Sequence, residues 1–366
     1  MRYLVLLGFL GLLLGTTSCR TDFDFAESTG ELRFSRDTVY LDTVFTNIGS
    51  STYTLKVYNK TDENISIPSI GFAKGAISKY RMTVDGITEN PTKSFTNVEL
   101  LAKDSMFIFI ETTANIADAN PTDFLYTDQI IFGTGTKAQK VELVTLIQDA
   151  YFIFPNKIDG VKEAVDFGFD EEGNVTQVIG RNLQENHPDN GNEYVWKNTK
   201  PYVVYGYASV PDGKTLTVNP GARIHFHKDS GIIVQEGGTL NIAGTPSMSE
   251  NMENEVIFEG DRLEPDFAET PGQWGFIYLR QGSKNHSINH LSLKNATIGI
   301  YVENNFGTPL TVKNTQIYNS SVVGILGRFA RIDGFNVVIN SRTRGVGALA
   351  CTWGGTYNFT HSTFNN

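Results

Sequence analysis

The sequence contains few cysteines and no excess of positive charge. Only two of its 366 residues are cysteines, so a framework of several disulfides is excluded. Thirty basic residues against 40 acidic ones leave a net charge of −10, which argues against nucleic acid as a partner, because its phosphates require clustered Lys and Arg. The same charge repels polyanionic glycans unless cations bridge them.

What is present favours β structure. The chain is long enough for two domains, and a hydrophobic fraction of 40% supports packed cores. Thirty-five glycines together with many Asn and Thr residues are typical of β proteins rich in turns.

The apolar run at the N-terminus is too short to span a membrane. Arg2 precedes an apolar stretch over residues 3–14, and small residues then lead to Cys19, as in a secretory signal. This segment resembles the lipobox of Gram-negative bacterial lipoproteins, although Thr16 stands where that family usually has Leu. Ordinary signal cleavage beside an incidental cysteine is the alternative.

The lipobox resemblance implies a location for the protein. Residues 1–18 would be the signal peptide, Cys19 the acylated residue and residues 19–30 a tether, so that lipid holds an otherwise soluble protein in the outer membrane. The acidic residues that follow Cys19 favour display at the cell surface.

Residues 31–148 show strand patterns without helical periodicity. Alternating apolar residues occur in "TVYLDTVF" and "YTLKVYN", and "SMFIFIETT" is a more continuous apolar strand. Several strands at short spacing predict an antiparallel sandwich. The arrangement resembles the immunoglobulin-like modules of bacterial surface proteins. Residues 149–200 are polar and rich in turn formers, which indicates a joining region.

From residue 201 onwards the sequence repeats itself. Residues 216–226 and 232–242 match position for position, with Leu216 aligned to Ile232. A second series consists of residues 291–300, 310–319, 332–340 and 357–366. Repeats of roughly 20 to 25 residues with short strands predict a parallel β-solenoid. The aligned Asn295, Asn314 and Asn336 are expected to form a structural ladder of hydrogen bonds along the stack.

Residues 201–366 resemble the right-handed parallel β-helix proteins of the pectate-lyase-like superfamily. The resemblance rests on the pattern of the repeats. It implies the fold but not the function, because lyases, hydrolases and non-enzymatic binding proteins all have this fold. The last repeat stops before its coil is complete, so we expect further coils beyond Asn366; an open end paired with a partner is the alternative. The fold class expected for the whole chain is all-β.

The stretch "ARIHFHKDSG" offers a candidate metal site. Alternation along a strand turns Ile224 and Phe226 inwards, so His225 and His227 should point outwards. Two imidazoles at this spacing, with Asp229 as a third ligand, could hold zinc. Two exposed histidines without a metal are the alternative, and we favour it because Asp229 falls at a turn.

An acidic insertion over residues 258–274 offers a second candidate site. Lyases of the superfamily hold calcium with carboxylates against a uronate, while a Lys or Arg abstracts a proton. The resemblance therefore implies Glu259 and Asp261 as calcium ligands and Arg262 or Arg280 as the base. A solvated loop is the alternative, and the motifs of polygalacturonase-like hydrolases are missing from the repeats.

Two tryptophans are candidates for stacking on sugar rings. Trp274 lies beside apolar strand residues, which favours packing in the core, whereas Trp353 is followed by glycines and should be more open.

Three functions remain at this point. The first is a non-catalytic cell-envelope protein whose solenoid binds an extended ligand, either a polysaccharide or a protein partner, without a cofactor. The second is a polysaccharide lyase or glycoside hydrolase, with calcium as its cofactor in the case of a lyase. The third is a structural spacer at the cell surface.

Overall fold

The computed structural model describes residues 24–169, 172–305, 307–341 and 347–365. Within these ranges the chain forms strands and short 3₁₀ turns, and no helix among them is long and apolar enough to cross a membrane. The proposed signal peptide and Cys19 lie outside the described residues. The chain divides into two compact units, Met1–Ile147 and Gln148–Asn366.

The first unit consists of strands β1 to β11. Their bounds are β1 Ala26–Glu27, β2 Arg33–Phe34, β3 Thr38–Phe45, β4 Tyr53–Tyr58, β5 Ile65–Phe72, β6 Tyr80–Val84, β7 Ile87–Thr88, β8 Ser94–Leu100, β9 Ser105–Thr112, β10 Leu125–Phe132 and β11 Gln139–Gln148. Short 3₁₀ turns occupy Gly75–Ile77, Ile116–Asp118 and Gly135–Lys137.

Two sheets of the first unit enclose one hydrophobic core. A six-stranded sheet contains β1, β3, β5, β8, β10 and β11, and a five-stranded sheet contains β2, β4, β6, β7 and β9. Alternation places one face of the longer strands inside, as with Leu55 and Val57 on β4 and Ile108 and Ile110 on β9. Strand β1, inside the segment expected to be a tether, pairs with β5.

The second unit consists of strands β12 to β32. The strands up to the acidic insertion are β12 Tyr151–Ile153, β13 Lys157–Ile158, β14 Val161–Lys162, β15 Ala164–Phe169, β16 Val175–Asn182, β17 Val195–Trp196, β18 Tyr202–Val204, β19 Tyr207–Val210, β20 Thr215–Val218, β21 Arg223–Phe226, β22 Gly231–Val234, β23 Thr239–Ala243 and β24 Val256–Gly260. After the 3₁₀ turn Pro265–Phe267 follow β25 Ile277–Leu279, β26 Ser287–Asn289, β27 Leu291–Lys294, β28 Ile298–Glu303, β29 Leu310–Tyr318, β30 Val323–Asn340, β31 Gly347–Thr360 and β32 Thr363–Asn365.

Parallel pairing in the second unit produces three ladders. Ladder one joins β16, β19, β22, β25, β28 and the first parts of β30 and β31. Ladder two joins β17, β20, β23, β26, the first half of β29, the middle of β30 and the second part of β31. Ladder three joins β12, β18, β21, β24, β27, the second half of β29, the end of β30 and β32. The chain thus visits the ladders in turn and returns to each one.

The ladders start within the segment expected to be a joining region. Residues 149–200 contain β12, β16 and β17, which pair with β18, β19 and β20. The same segment supplies the antiparallel hairpin of β15 and β16. Apolar side chains of all three ladders meet in one core cluster that includes Trp196, Phe226 and Ile300.

The register of the ladders differs from the repeat alignment. Leu216 pairs with Leu240, not with Ile232, and Ile232 pairs with Ile277. Strands of all three ladders turn alternate apolar residues inwards, so segments of different ladders look alike in sequence. The similarity between residues 216–226 and 232–242 therefore aligns β20 with β22 and β21 with β23, which are strands of different ladders and not strands stacked in one ladder.

Candidate ligand-binding cleft

A cleft of about 1040 Å³ lies between the β15–β16 hairpin and the outer face of ladder one. Both of its walls belong to the second unit, and its lining mixes aromatic, acidic and basic side chains. It is lined by Ala164, Val165, Asp166, Phe167, Gly168, Phe169, Thr176, Asn182, Pro211, Asp212, Gln235, Glu236, Tyr278, Arg280, Gln281, Gly282, Tyr301, Glu303 and Arg328.

The hairpin is fixed on ladder one by apolar packing and by hydrogen bonds. Val165 is buried in a small cluster with Tyr207, Ile233 and Tyr278. The side-chain amide of Gln235 donates to the carbonyl of Asp166 over 3.0 Å, and Arg280 donates to the same carbonyl over 3.3 Å. The cleft is therefore formed in advance between two anchored walls.

A row of polar contacts follows the rungs of ladder one. Arg280 donates to the side-chain oxygen of Gln235 on the preceding rung. Tyr278, which lies in β25 just before Arg280, donates its hydroxyl to Glu303 at the end of β28, the next strand of the ladder. On the next rung, Nη1 of Arg328 lies 3.4 Å from Oε1 of Glu303. Each group in this row thus holds its neighbour in position.

Two tyrosines form a parallel pair at the floor of the cleft. The rings of Tyr278 and Tyr301 are 4.5 Å apart at an interplanar angle of 1°. Burial raises the pKa of Tyr278, and the hydrogen bond to Glu303 raises the pKa further, so this hydroxyl remains a donor at neutral pH. The Glu303 carboxylate is thereby oriented by a neutral donor on one side and by Arg328 on the other.

Trp353 is exposed next to this row. Its side chain is 62% exposed, and its backbone has a φ of 59°. The guanidinium carbon of Arg328 lies 3.3 Å from the centroid of the Trp353 ring, and Phe329 meets the same ring edge-on at 5.6 Å. Trp353 is therefore open to solvent, as the adjoining glycines indicated, and Arg328 connects it to the cleft.

Trp274 is a core residue. It is 1% exposed, stacks on Phe226 with ring centroids 4.3 Å apart, and donates its indole N–H to the carbonyl of Lys294 over 2.8 Å. It is closed to a sugar ring, which corrects its candidacy as a ligand-binding residue and agrees with the packing role that the neighbouring apolar residues favoured.

The candidate metal residues separate into two environments. Ile224 and Phe226 are fully buried, as the alternation predicted, but outward-pointing His225 is only 6% exposed because Glu259 of the next rung lies directly beside it. Burial lowers the pKa of His225. The side chain of His227 is 48% exposed, and its Nδ1 lies 2.7 Å from Oδ2 of Asp261.

Among the residues that the structure describes, no group of three His, Cys, Asp or Glu side chains is placed so that it could hold a metal ion. The expected partner Asp229 lies at a turn with a φ of 57°. His227 instead stacks on the ring of Tyr205, with centroids 4.4 Å apart.

The residues expected for a lyase lie in separate places. Glu259 and Asp261 are on the outer side of ladder three, where Oε2 of Glu259 is 3.7 Å from Nζ of Lys294. Arg262 forms an ion pair with Glu264 at 2.9 Å. Arg280, in contrast, lines the cleft on ladder one. Of the two candidate bases, Arg280 is therefore on a different ladder from the carboxylates, whereas Arg262 directly follows Asp261 and is paired with Glu264.

The asparagine ladder is present with a different first member. Asn336 donates to Asn314 over 2.9 Å, and Asn314 donates to Asn289 over 3.1 Å. Asn295 belongs to another turn, where its amide donates to the carbonyl of Ala268 over 3.0 Å. The cause is the register, because Leu293 pairs with Ile317 and this places Asn295 opposite the end of β29.

Sequence reasoning missed most of the cleft. The repeats do not single out Gln235, Glu303 or Arg328. Only the stacking of the strands shows that these outward residues form one row. The repeated tyrosines Tyr278 and Tyr301 were the available signal, since they pair directly on adjacent rungs.

No family model matches this chain, and no curated protein matches it either. Among solved structures, the chain is similar to an ASH or PapD-like domain of human CEP192, its PapD-like domain 7, at 9% sequence identity and a TM-score of 0.21. The match covers 37% of this chain and 96% of that domain. The chain is all-β with a neighbour of immunoglobulin-like type, and a likeness at this score carries no argument about function.

Proposed function

We propose that the second unit is a right-handed parallel β-helix of the kind found in pectate-lyase-like proteins. The parallel pairing of each strand from β16 to β26 with the strand three places later supports this architecture. We further propose that the first unit is an immunoglobulin-like module and that acylated Cys19 anchors the whole protein in the outer membrane. Two facing sheets around one core support the first of these proposals.

The function we propose is the binding of an extended, uncharged polysaccharide without cleavage. The observation that carries this proposal is the preformed cleft on ladder one, in which aromatic rings and oriented polar groups lie together. Sugars present both an apolar face and many hydroxyl groups, so a site of this composition matches them. The recurrence of equivalent positions along a stack favours a polymer as the ligand.

The charges of the cleft favour a neutral polymer over a uronate. The lining contains Asp166, Asp212, Glu236 and Glu303 but only two basic side chains, Arg280 and Arg328. Both guanidinium groups already have partners, Arg280 with Gln235 and Arg328 with Glu303. An anionic chain would therefore meet uncompensated carboxylates.

Binding and cleavage are distinguished by one experiment with the purified chain. Xylan, mannan and β-glucan would be compared with polygalacturonate and alginate, with and without calcium, in affinity electrophoresis. New reducing or unsaturated chain ends would be measured in the same mixtures. We expect retention by at least one neutral polymer and no new ends.

Variants assign the binding to the cleft. Arg280→Ala and Glu303→Ala should each weaken retention about tenfold, the effect of losing about 1.4 kcal/mol. Glu259→Ala, on ladder three, is the matched control and should bind as the parent does. Chain ends that appear and depend on Glu259 or Asp261 would make the protein an enzyme and refute the proposal. Failure to retain any polymer would leave the role of a spacer.

A further inference from the structure

The binding groups of ladder one are arranged along the stack and not around it. Arg280 follows β25, Glu303 ends β28 and Arg328 pairs with Glu303 on β30. Neighbouring strands of a sheet are about 4.8 Å apart. These three groups therefore mark a line that crosses the strands and runs parallel to the axis of the ladder.

Trp353 continues this line beyond the cleft. Arg328 pairs with Thr352, so Trp353 follows on the next rung. Three rungs separate Arg280 from this position, a distance of roughly 14 Å along the ladder. Trp353 is not among the residues that line the cleft, yet its ring is open and lies against the guanidinium of Arg328.

The contacts that hold the Trp353 ring make it suitable for binding a ligand. Stacking on Arg328 and the edge-on contact with Phe329 restrain the indole, so little side-chain entropy is lost when a ligand covers it. The partner of Arg328, Glu303, is in turn held by Tyr278. Such a restrained and exposed tryptophan is typical of the anchor residues of binding surfaces.

We propose that Trp353 forms a distal subsite for the same polysaccharide, so that one chain lies along ladder one from Arg280 to Trp353. This inference rests on the proposed function and adds the direction of the ligand and its minimum length. A sugar too short to span the three rungs occupies the cleft alone. Affinity therefore rises with chain length until the oligosaccharide reaches Trp353.

The test uses oligosaccharides of graded length. The neutral polymer that is best retained would be partially hydrolysed and fractionated from disaccharides upwards, and the affinity of each fraction for the full chain would be measured by calorimetry. The parent protein should show a rise of about tenfold, or about 1.4 kcal/mol, at the length that reaches Trp353. In Trp353→Ala this rise should be absent, and Trp353→Tyr should restore part of it.

Phe335→Ala is the matched control. Phe335 is an exposed aromatic residue of β30, but it lies in ladder two and outside the lining of the cleft. This variant should keep the rise with length. A parent protein that binds short fragments without any rise, or a rise that persists in Trp353→Ala, overturns the distal subsite while the cleft remains a binding site. Absence of binding to every fragment and polymer refutes the proposed function itself.

Discussion

At the scale of single residues, His286 shows how burial determines a protonation state. The backbone N–H of Leu240 donates to its Nδ1 over 3.1 Å. Ser283 donates its hydroxyl to the carbonyl of Arg280, so the Ser283 oxygen must accept from Nε2 of His286, 2.9 Å away. Both ring nitrogens are thus satisfied only in the neutral form. Burial lowers the pKa of His286 to about 4.

This histidine makes stability depend on pH. An unfolded histidine has a pKa of about 6.5, so between about pH 6.5 and pH 4 the unfolded chain binds more protons than the folded one. The contribution is fully present above pH 6.5 and is lost on acidification, by an amount on the order of 3 kcal/mol. Unfolding by urea at a series of pH values should show this loss.

Replacement isolates the contribution of His286. His286→Gln should lower stability at pH 7 and make its dependence on pH shallower between pH 7 and pH 4. His361→Gln removes an exposed imidazole instead and serves as the control. An unchanged slope in His286→Gln would show that other groups cause the acid sensitivity.

At the scale of structural elements, one column of turns has a left-handed backbone. His290, Asn314, Asn336 and His361 all have positive φ angles, between 48° and 54°. This conformation is costly for most residues and least so for glycine and asparagine. Side-chain amides then join Asn289, Asn314 and Asn336. The turn chemistry therefore supports the stacking of the strands.

Substitution at Asn314 should separate the backbone from the side chain. Both Asn314→Gly and Asn314→Ala lose the amide bonds, but only glycine accepts a φ of 48° without strain. We expect the alanine variant to be less stable than the glycine variant by about 1 kcal/mol. At Asn241, within β23, the order should reverse because glycine weakens a strand. Chemical denaturation measures all four variants, and an alanine variant at 314 equal to glycine would contradict the argument.

The strands also show which features of the structure can be predicted from the sequence. Alternation places Ile224 and Phe226 in the core because the period of a strand is a local property. The register of the strands cannot be predicted in this way, because strands of different ladders have the same pattern. His225 was expected to be exposed, and its burial depends on Glu259, which lies beside it on the neighbouring strand although it is far away in the sequence.

At the scale of the whole molecule, the two units have separate hydrophobic cores. One cluster includes Ile108 and the other includes Ile300, and both residues are fully buried. The candidate cleft combines ladder one with a hairpin from the segment before the repeats. A pairing between segments so far apart leaves no local pattern, so the cleft could not be predicted from the sequence.

Separate cores should unfold separately. We expect two transitions in calorimetry, of which Ile108→Ala shifts one and Ile300→Ala shifts the other. Truncation of a buried isoleucine costs about 2 to 5 kcal/mol, enough to resolve each shift. A single transition that moves in both variants would show that the two units unfold as one cooperative body.

The unequal length of chain between paired strands has a consequence for how such a protein changes in evolution. Leu216 returns to its ladder at Leu240, whereas Ile224 returns only at Phe258 and Ile232 only at Ile277. The extra residues lie in turns, and the rungs still pair in register. Insertions and deletions at the turns are therefore compatible with an intact backbone frame. The surface around the ladders can diversify by changes of loop length while the core stays the same.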